Sequence, residues 1–162
     1  LLRAFCDWLS NTPVSMAIQD AFWVIPTVQT VHIVSIAVVM ASMAMLDLRL
    51  VGIFGRRQSV GAVAHRFLPW VWTAVFVLLA SGSILIIGEP GRELLNTMFW
   101  LKMSMLVCVL IITGTFQYLL RSNGSAFWET RRAAAALVGI VSLLLWVSIV
   151  AAGRWIAYVE HG

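Results

Sequence analysis

Pro26-Thr-Val-Gln29-Thr-Val-His32-Ile-Val-Ser35-Ile-Ala37-Val-Val39-Met40-Ala41-Ser42-Met43-Ala-Met45-Leu46-Asp47 decides the fold. As a helix rising 1.5 Å per residue, this run is long enough to cross about 30 Å of hydrocarbon. Counted to its apolar limits it covers residues 26–54, and three comparable segments follow at 67–88, 98–120 and 133–158. Hydrophobic residues make up 61% of the 162 positions and charged residues only 11%. Four spans with short connections leave no room for a soluble domain. The expected architecture is all-α: one integral membrane four-helix bundle, with any chemistry inside the bundle or at its rims.

The formal charge of +4 is spread among the connections rather than gathered into one patch, so nucleic acid is not an expected partner. The first connection carries Arg49, Arg56, Arg57 and Arg66 against Asp47. The third carries Arg121, Arg131 and Arg132 against Glu129. Opposite them lie Arg3, Asp7 and Asp20, the Glu89-Pro-Gly-Arg-Glu93 turn, and Arg154 with Glu160. An excess of arginine marks cytoplasmic loops, so both termini are expected on the periplasmic side of a bacterial inner membrane. Trp23, Trp100 and Trp155 then mark the outer interface, and Trp70, Trp72 and Trp128 the inner one.

The start, Leu1 to Asp7, has charge interrupting any apolar core and shows no signal-peptide pattern. After Asn11-Thr-Pro-Val, residues 15–24 read as a short interfacial helix. Residues 58–66 read as an amphipathic stretch ending before Pro69, which suits a first helical turn or a kink. Asn123-Gly-Ser reads as a turn. Cys6 and Cys108 lie at different depths, so no bridge between them is expected.

Polar residues in an apolar span are costly and stand as functional candidates by default. Gln29, His32, Ser35, Ser42 and Arg49, with Val39 and Leu46, share one helical face that should turn toward protein. Ala37 with Ala41, and Ala135 with Gly139, are small pairs that allow close helix contact. Asp47 and Arg66 sit at the inner ends of the first two spans, where an ion pair would tie them together. Lys102 lies about a turn inside the third span beside Phe99 and Trp100. It either snorkels to the headgroups or meets an anionic group such as a propionate, a quinone oxygen or a lipid head.

His32 is the central candidate ligand, including for a metal. His65 is at the opposite end, and His161 reaches His32 only if the tail folds inward, so a bis-histidine haem b within one chain is weak. Met103 at similar depth, or His32 of a second copy across a two-fold axis, would complete the ligand pair. Against haem stands a histidine simply hydrogen-bonded to a neighbour. The seven methionines are scattered apart from Met40, Met43 and Met45, which supplies no convincing copper set.

Over most of its length the chain resembles a family of bacterial four-helix inner-membrane proteins of unknown function. The resemblance rests on Trp23-Val-Ile-Pro26-Thr-Val-Gln29-Thr-Val-His32, Asp47-Leu-Arg49-Leu-Val-Gly52, Arg66-Phe-Leu-Pro69-Trp70-Val-Trp72, Gly82, and Phe99-Trp-Leu-Lys102-Met103. Gln29 stands where that family often has Glu, a departure that weakens a Glu–His proton relay. In layout the chain is distantly similar to copper-resistance D and cytochrome b561-type bundles, a likeness of analogy only. The resemblance implies that Gln29, His32 and Lys102 form an outer ligand region, while Asp47, Arg49 and Arg66 fasten inner helix ends.

Two functions follow as expectations. One is a small membrane subunit of a redox or respiratory assembly, holding haem b or a quinone near the outer face and meeting lipids and other subunits or a second copy. The other is a cofactor-free structural or assembly subunit. A transporter would want a polar path through mid-span, where Met43, Val77, Cys108 and Val147 offer none. No nucleophile–base pair or metal-ligand spacing suggests a self-contained enzyme.

Overall fold

The computed structural model describes residues 1–55 and 57–159. The readings placed on Arg56, Glu160 and His161 lie outside the described residues. Seven helices follow in order: α1 (Leu2–Ser10), α2 (Pro13–Asp20), α3 (Val24–Val51), α4 (Val60–Gly88), α5 (Pro90–Leu94), α6 (Thr97–Thr130) and α7 (Arg132–Val159). Among the described residues, α3, α4, α6 and α7 are long and apolar enough to cross a membrane, which makes this a multi-pass membrane protein. At 28 residues, α3 is about 42 Å long and outreaches the hydrocarbon core, so its ends stand among the headgroups.

Three pairings of the long helices dominate the packing. α3 lies against α4 and α7, α6 lies against α7, and α4 meets α6 more sparingly. The core runs down the middle of this ring through Val39, Met43, Leu46, Val71, Val109, Phe116 and Trp146. On α3 the buried positions Ser35, Val39, Ser42 and Leu46 form the expected inward face, with His32 and Arg49 half-buried at its two ends. Gln29 is exposed and leaves that face. Ala37 and Ala41 also point outward, so this small pair makes no helix contact inside the bundle. Ala135 and Gly139 are both buried, and they bring α7 onto α3.

Local chemistry sets the helix ends. Thr12, Ser59 and Asn96 cap α2, α4 and α6, each accepting a backbone N–H from the first turn, with Pro13 at the first position of α2. α3 stops at Gly52, whose φ of 83° is left-handed and whose N–H reaches Leu48 O and Arg49 O. The second span starts earlier than its apolar run suggests: α4 begins at Val60 and passes through Pro69. Burial of Val60, Val63, Ala64, Leu68 and Val71 at three-four spacing offsets the hydrogen bond that Pro69 cannot donate. Gly124, at φ 74° and ψ 176°, interrupts α6 at the expected turn. The following turn folds Trp128 back beside Phe116, ring centroids 5.0 Å apart, so this tryptophan is buried rather than interfacial. Trp23, Trp70, Trp72, Trp100 and Trp155 are exposed.

The segment before the first span holds two helices instead of one. α1 and α2, with α5 in place of the simple Glu89–Glu93 turn, cover one end of the bundle. They satisfy carbonyls that a helix end leaves without partners. Ser15 Oγ donates to Ile87 O (2.6 Å) and Gln19 Nε2 to Gly88 O (3.0 Å). Cys6 Sγ donates to Pro90 O at 3.6 Å. Both cysteines are free, Cys6 buried and Cys108 exposed. This covered end lies opposite the arginine-bearing end.

Candidate functional site

His32 sits about 12 Å along α3 from its start at the covered end. Its Nδ1 is 2.8 Å from Ser81 Oγ on α4. Ser81 has one hydroxyl hydrogen, and that points along its own helix to Val77 O at 2.7 Å. Nδ1 is therefore assigned the ring hydrogen and donates to Ser81, which leaves Nε2 with its lone pair. Gly82 flanks the ring: a Cβ there would stand 3.6 Å from His32 Cε1, an ordinary van der Waals contact. The imidazole is held against α4, its tautomer set by a hydroxyl that no motif advertised.

Lys102 enters from the third span, about 8 Å along α6 from its first residue. Its side chain lies along α7 at Gly153, where a Cβ would sit 3.8 Å from Cδ, Cε and Nζ. It is close enough for charge interaction with both His32 and Glu93. Three helices thus bring His32, Ser81 and Lys102 to one depth. Of the other two sequence candidates, Gln29 is exposed, and Met103, next to Lys102 on α6, is half-buried. No group of three or more His, Cys, Asp or Glu that could hold a metal ion is found among the described residues.

The proposed Asp47–Arg66 ion pair does not form among the described residues, where the ion pair present is Arg92–Glu89. Arg66 is exposed and its guanidinium lies 5.8 Å over the Phe67 ring. Asp47 points the other way, into the bundle, and is only 1% exposed. It faces Ser142 of α7, yet among the described residues Asp47 Oδ2 and Ser142 Oγ both lack hydrogen-bond partners, and Ser142 too is 1% exposed. Between them is a void of about 10 Å³, also lined by Thr113, close to the smallest that admits a water. A buried carboxylate without a counter-ion costs several kcal/mol. Asp47→Asn should therefore raise stability by about 1–2 kcal/mol, read as a higher unfolding midpoint in detergent. A lower midpoint would mean that the carboxylate itself holds a ligand there.

Sequence reasoning missed Ser81, Ser142 and Thr113. Each is a lone hydroxyl in an apolar helix, and Ser81 and Thr113 bond back to the carbonyl four residues earlier, so nothing in the sequence marks which of them faces a titratable group. Gly82 was visible as part of a pattern, but its contact with His32 joins residues 50 positions apart.

No curated protein and no solved structure matches the chain. A family of unknown function, DUF6644, matches it over residues 12–159, a stretch that holds α2, all four spans and every residue of the site. This chain belongs to the DUF6644 family.

Proposed function

We propose that this protein is a small subunit of a redox or respiratory assembly in the bacterial inner membrane, with a quinone site at His32 near the periplasmic face. The single observation behind this reading is the Ser81-held imidazole with a free Nε2 beside Lys102, three side chains from three helices inside an apolar bundle. A quinone head has two oxygens needing partners at that depth. The Nε2 lone pair accepts the hydroxyl hydrogen of the reduced, quinol form. The Lys102 ammonium would donate to an oxygen of the head and favour the anion left when the proton departs. Electrons pass from the quinol to a partner subunit on the periplasmic side. The thin contact between α4 and α6 supports a sideways path for a lipid-soluble molecule.

Orientation follows the arginines. With Arg49, Arg57, Arg66, Arg121, Arg131 and Arg132 at one end, the positive-inside rule puts that end in the cytoplasm and the covered end outside.

Haem b is the second reading, favoured by the same tautomer. A ligating histidine typically donates its other ring nitrogen to a nearby acceptor, as His32 does. The second axial ligand would be Met103 of the same chain or His32 of a second copy across a two-fold axis.

Solvent extraction of protein purified in mild detergent, with a dithionite-reduced spectrum, separates the readings. The expected result is about one quinone per chain and no Soret band. A Soret band with an α-band would replace the quinone by haem. A colourless, quinone-free preparation from replete membranes would move the protein to the cofactor-free assembly role.

A further inference from the structure

At the arginine end the structure holds a second site, independent of the quinone reading. A cavity of about 610 Å³ opens between the end of α3, residues 57–60, the Trp128–Glu129 turn and the start of α7. This lies within the roughly 300–1,000 Å³ of ordinary ligand pockets. Arg49, Arg57 and Arg132 line it, and none makes an ion pair among the described residues. Arg49 Nε donates to Gln58 O at 2.7 Å, which fixes the guanidinium while its terminal nitrogens stay available. The one acid in the wall, Glu129, accepts the Val60 N–H at 3.3 Å. Trp128, 5% exposed, closes the wall with its buried ring.

These walls carry three guanidinium groups against a single carboxylate, so donors and positive charge are in excess. Several oxygens carrying negative charge on one small group answer that pattern, and arginine forks suit phosphate in particular. The cavity sits at the ends of helices that outreach the hydrocarbon, which is the level of lipid headgroups. We propose that Arg49, Arg57 and Arg132 bind a phosphate-bearing anion, supplied by the headgroup of an anionic phospholipid of the adjacent leaflet. Topogenic charge alone needs no cavity, nor a guanidinium fixed at its rim as Arg49 is by Gln58 O.

The test uses the full chain in delipidated detergent micelles, titrated with phosphatidylglycerol, phosphatidylcholine or inorganic phosphate while Trp fluorescence and native mass are followed. Arg57→Gln with Arg132→Gln alters two exposed residues and should leave the fold intact. Arg121→Gln, exposed on α6 and outside the cavity wall, is the control. The expected result is one retained phosphatidylglycerol, bound about thirtyfold more weakly by the double variant, a factor of about five per arginine. The Arg121→Gln control should bind like the unaltered chain, and phosphatidylcholine should be held far less well. Saturable binding of inorganic phosphate, lost in the same double variant, supports the site and makes a soluble phosphate its source. Equal phosphatidylglycerol binding by the double variant and the unaltered chain overturns the proposal, as does the absence of binding by any probe.

Discussion

Gly139→Leu is expected to abolish the folded bundle, and even Gly139→Ala to cost about 1–3 kcal/mol. A Cβ at Gly139 would stand 2.8 Å from the Asp47 carbonyl oxygen, 3.1 Å from Leu50 Cβ and 3.3 Å from Val51 Cγ2. The first of these neighbours is backbone and cannot turn aside, so α3 and α7 must separate. In lipid the packing lost in that way is a main source of helix association, since hydrocarbon competes on equal terms with apolar side chains. Gly114→Ala is the matched control. Nothing stands within 4 Å of a Cβ there, and the change should be neutral or stabilise by up to about 1 kcal/mol through helix propensity. Unfolding midpoints of the two alanine variants in one detergent would check this. Equal midpoints would contradict the close α3–α7 approach.

The second large effect belongs to His32. His32→Ala should weaken quinone binding by about 10–100-fold, the loss of one good hydrogen bond to a group that gains charge. Ser81→Ala should cost about tenfold or more although Ser81 need not touch the quinone. It frees Nδ1 of its acceptor at 2.8 Å, and with it the tautomer and orientation of the ring. The Ser81 variant carries the sharper information. A residue that merely fills space would leave the pH dependence of binding unchanged, whereas one that sets a tautomer would shift it. Titrating quinone into both variants across pH, alongside the unaltered chain, measures these effects. Ser81→Ala binding indistinguishable from the unaltered chain would remove the proposed tautomer control.

The spans were legible because length and apolarity alone specify them in lipid. Their ends were not. α4 starts at Val60 rather than 67 because Ser59 caps it and Val60, Val63 and Ala64 are buried, despite the polar His65 and Arg66 nearby. α1 escaped notice because it is nine residues with one buried side chain, stabilised by the bundle end rather than by its own pattern. Depth was also readable, and it brought His32 and Lys102 to one level. Azimuth was not: Asp47 and Arg66 share a depth, but one turns to α7 and the other outward. Gln29 follows the three-four spacing of its face and still lies exposed, because the α3 face is covered only from His32 onward. The partners that give the site its chemistry, Ser81 and Gly82, stand about 50 residues from His32 and show no sequence mark of the contact.

The most direct test of the quinone site is pulsed electron paramagnetic resonance on the semiquinone radical, in protein carrying ¹⁵N-labelled histidine. The predicted spectrum shows hyperfine coupling to one imidazole nitrogen, present in His65→Ala and absent in His32→Ala. A radical without histidine coupling, or one whose coupling survives His32→Ala, would contradict the assignment of His32 as the quinone's partner.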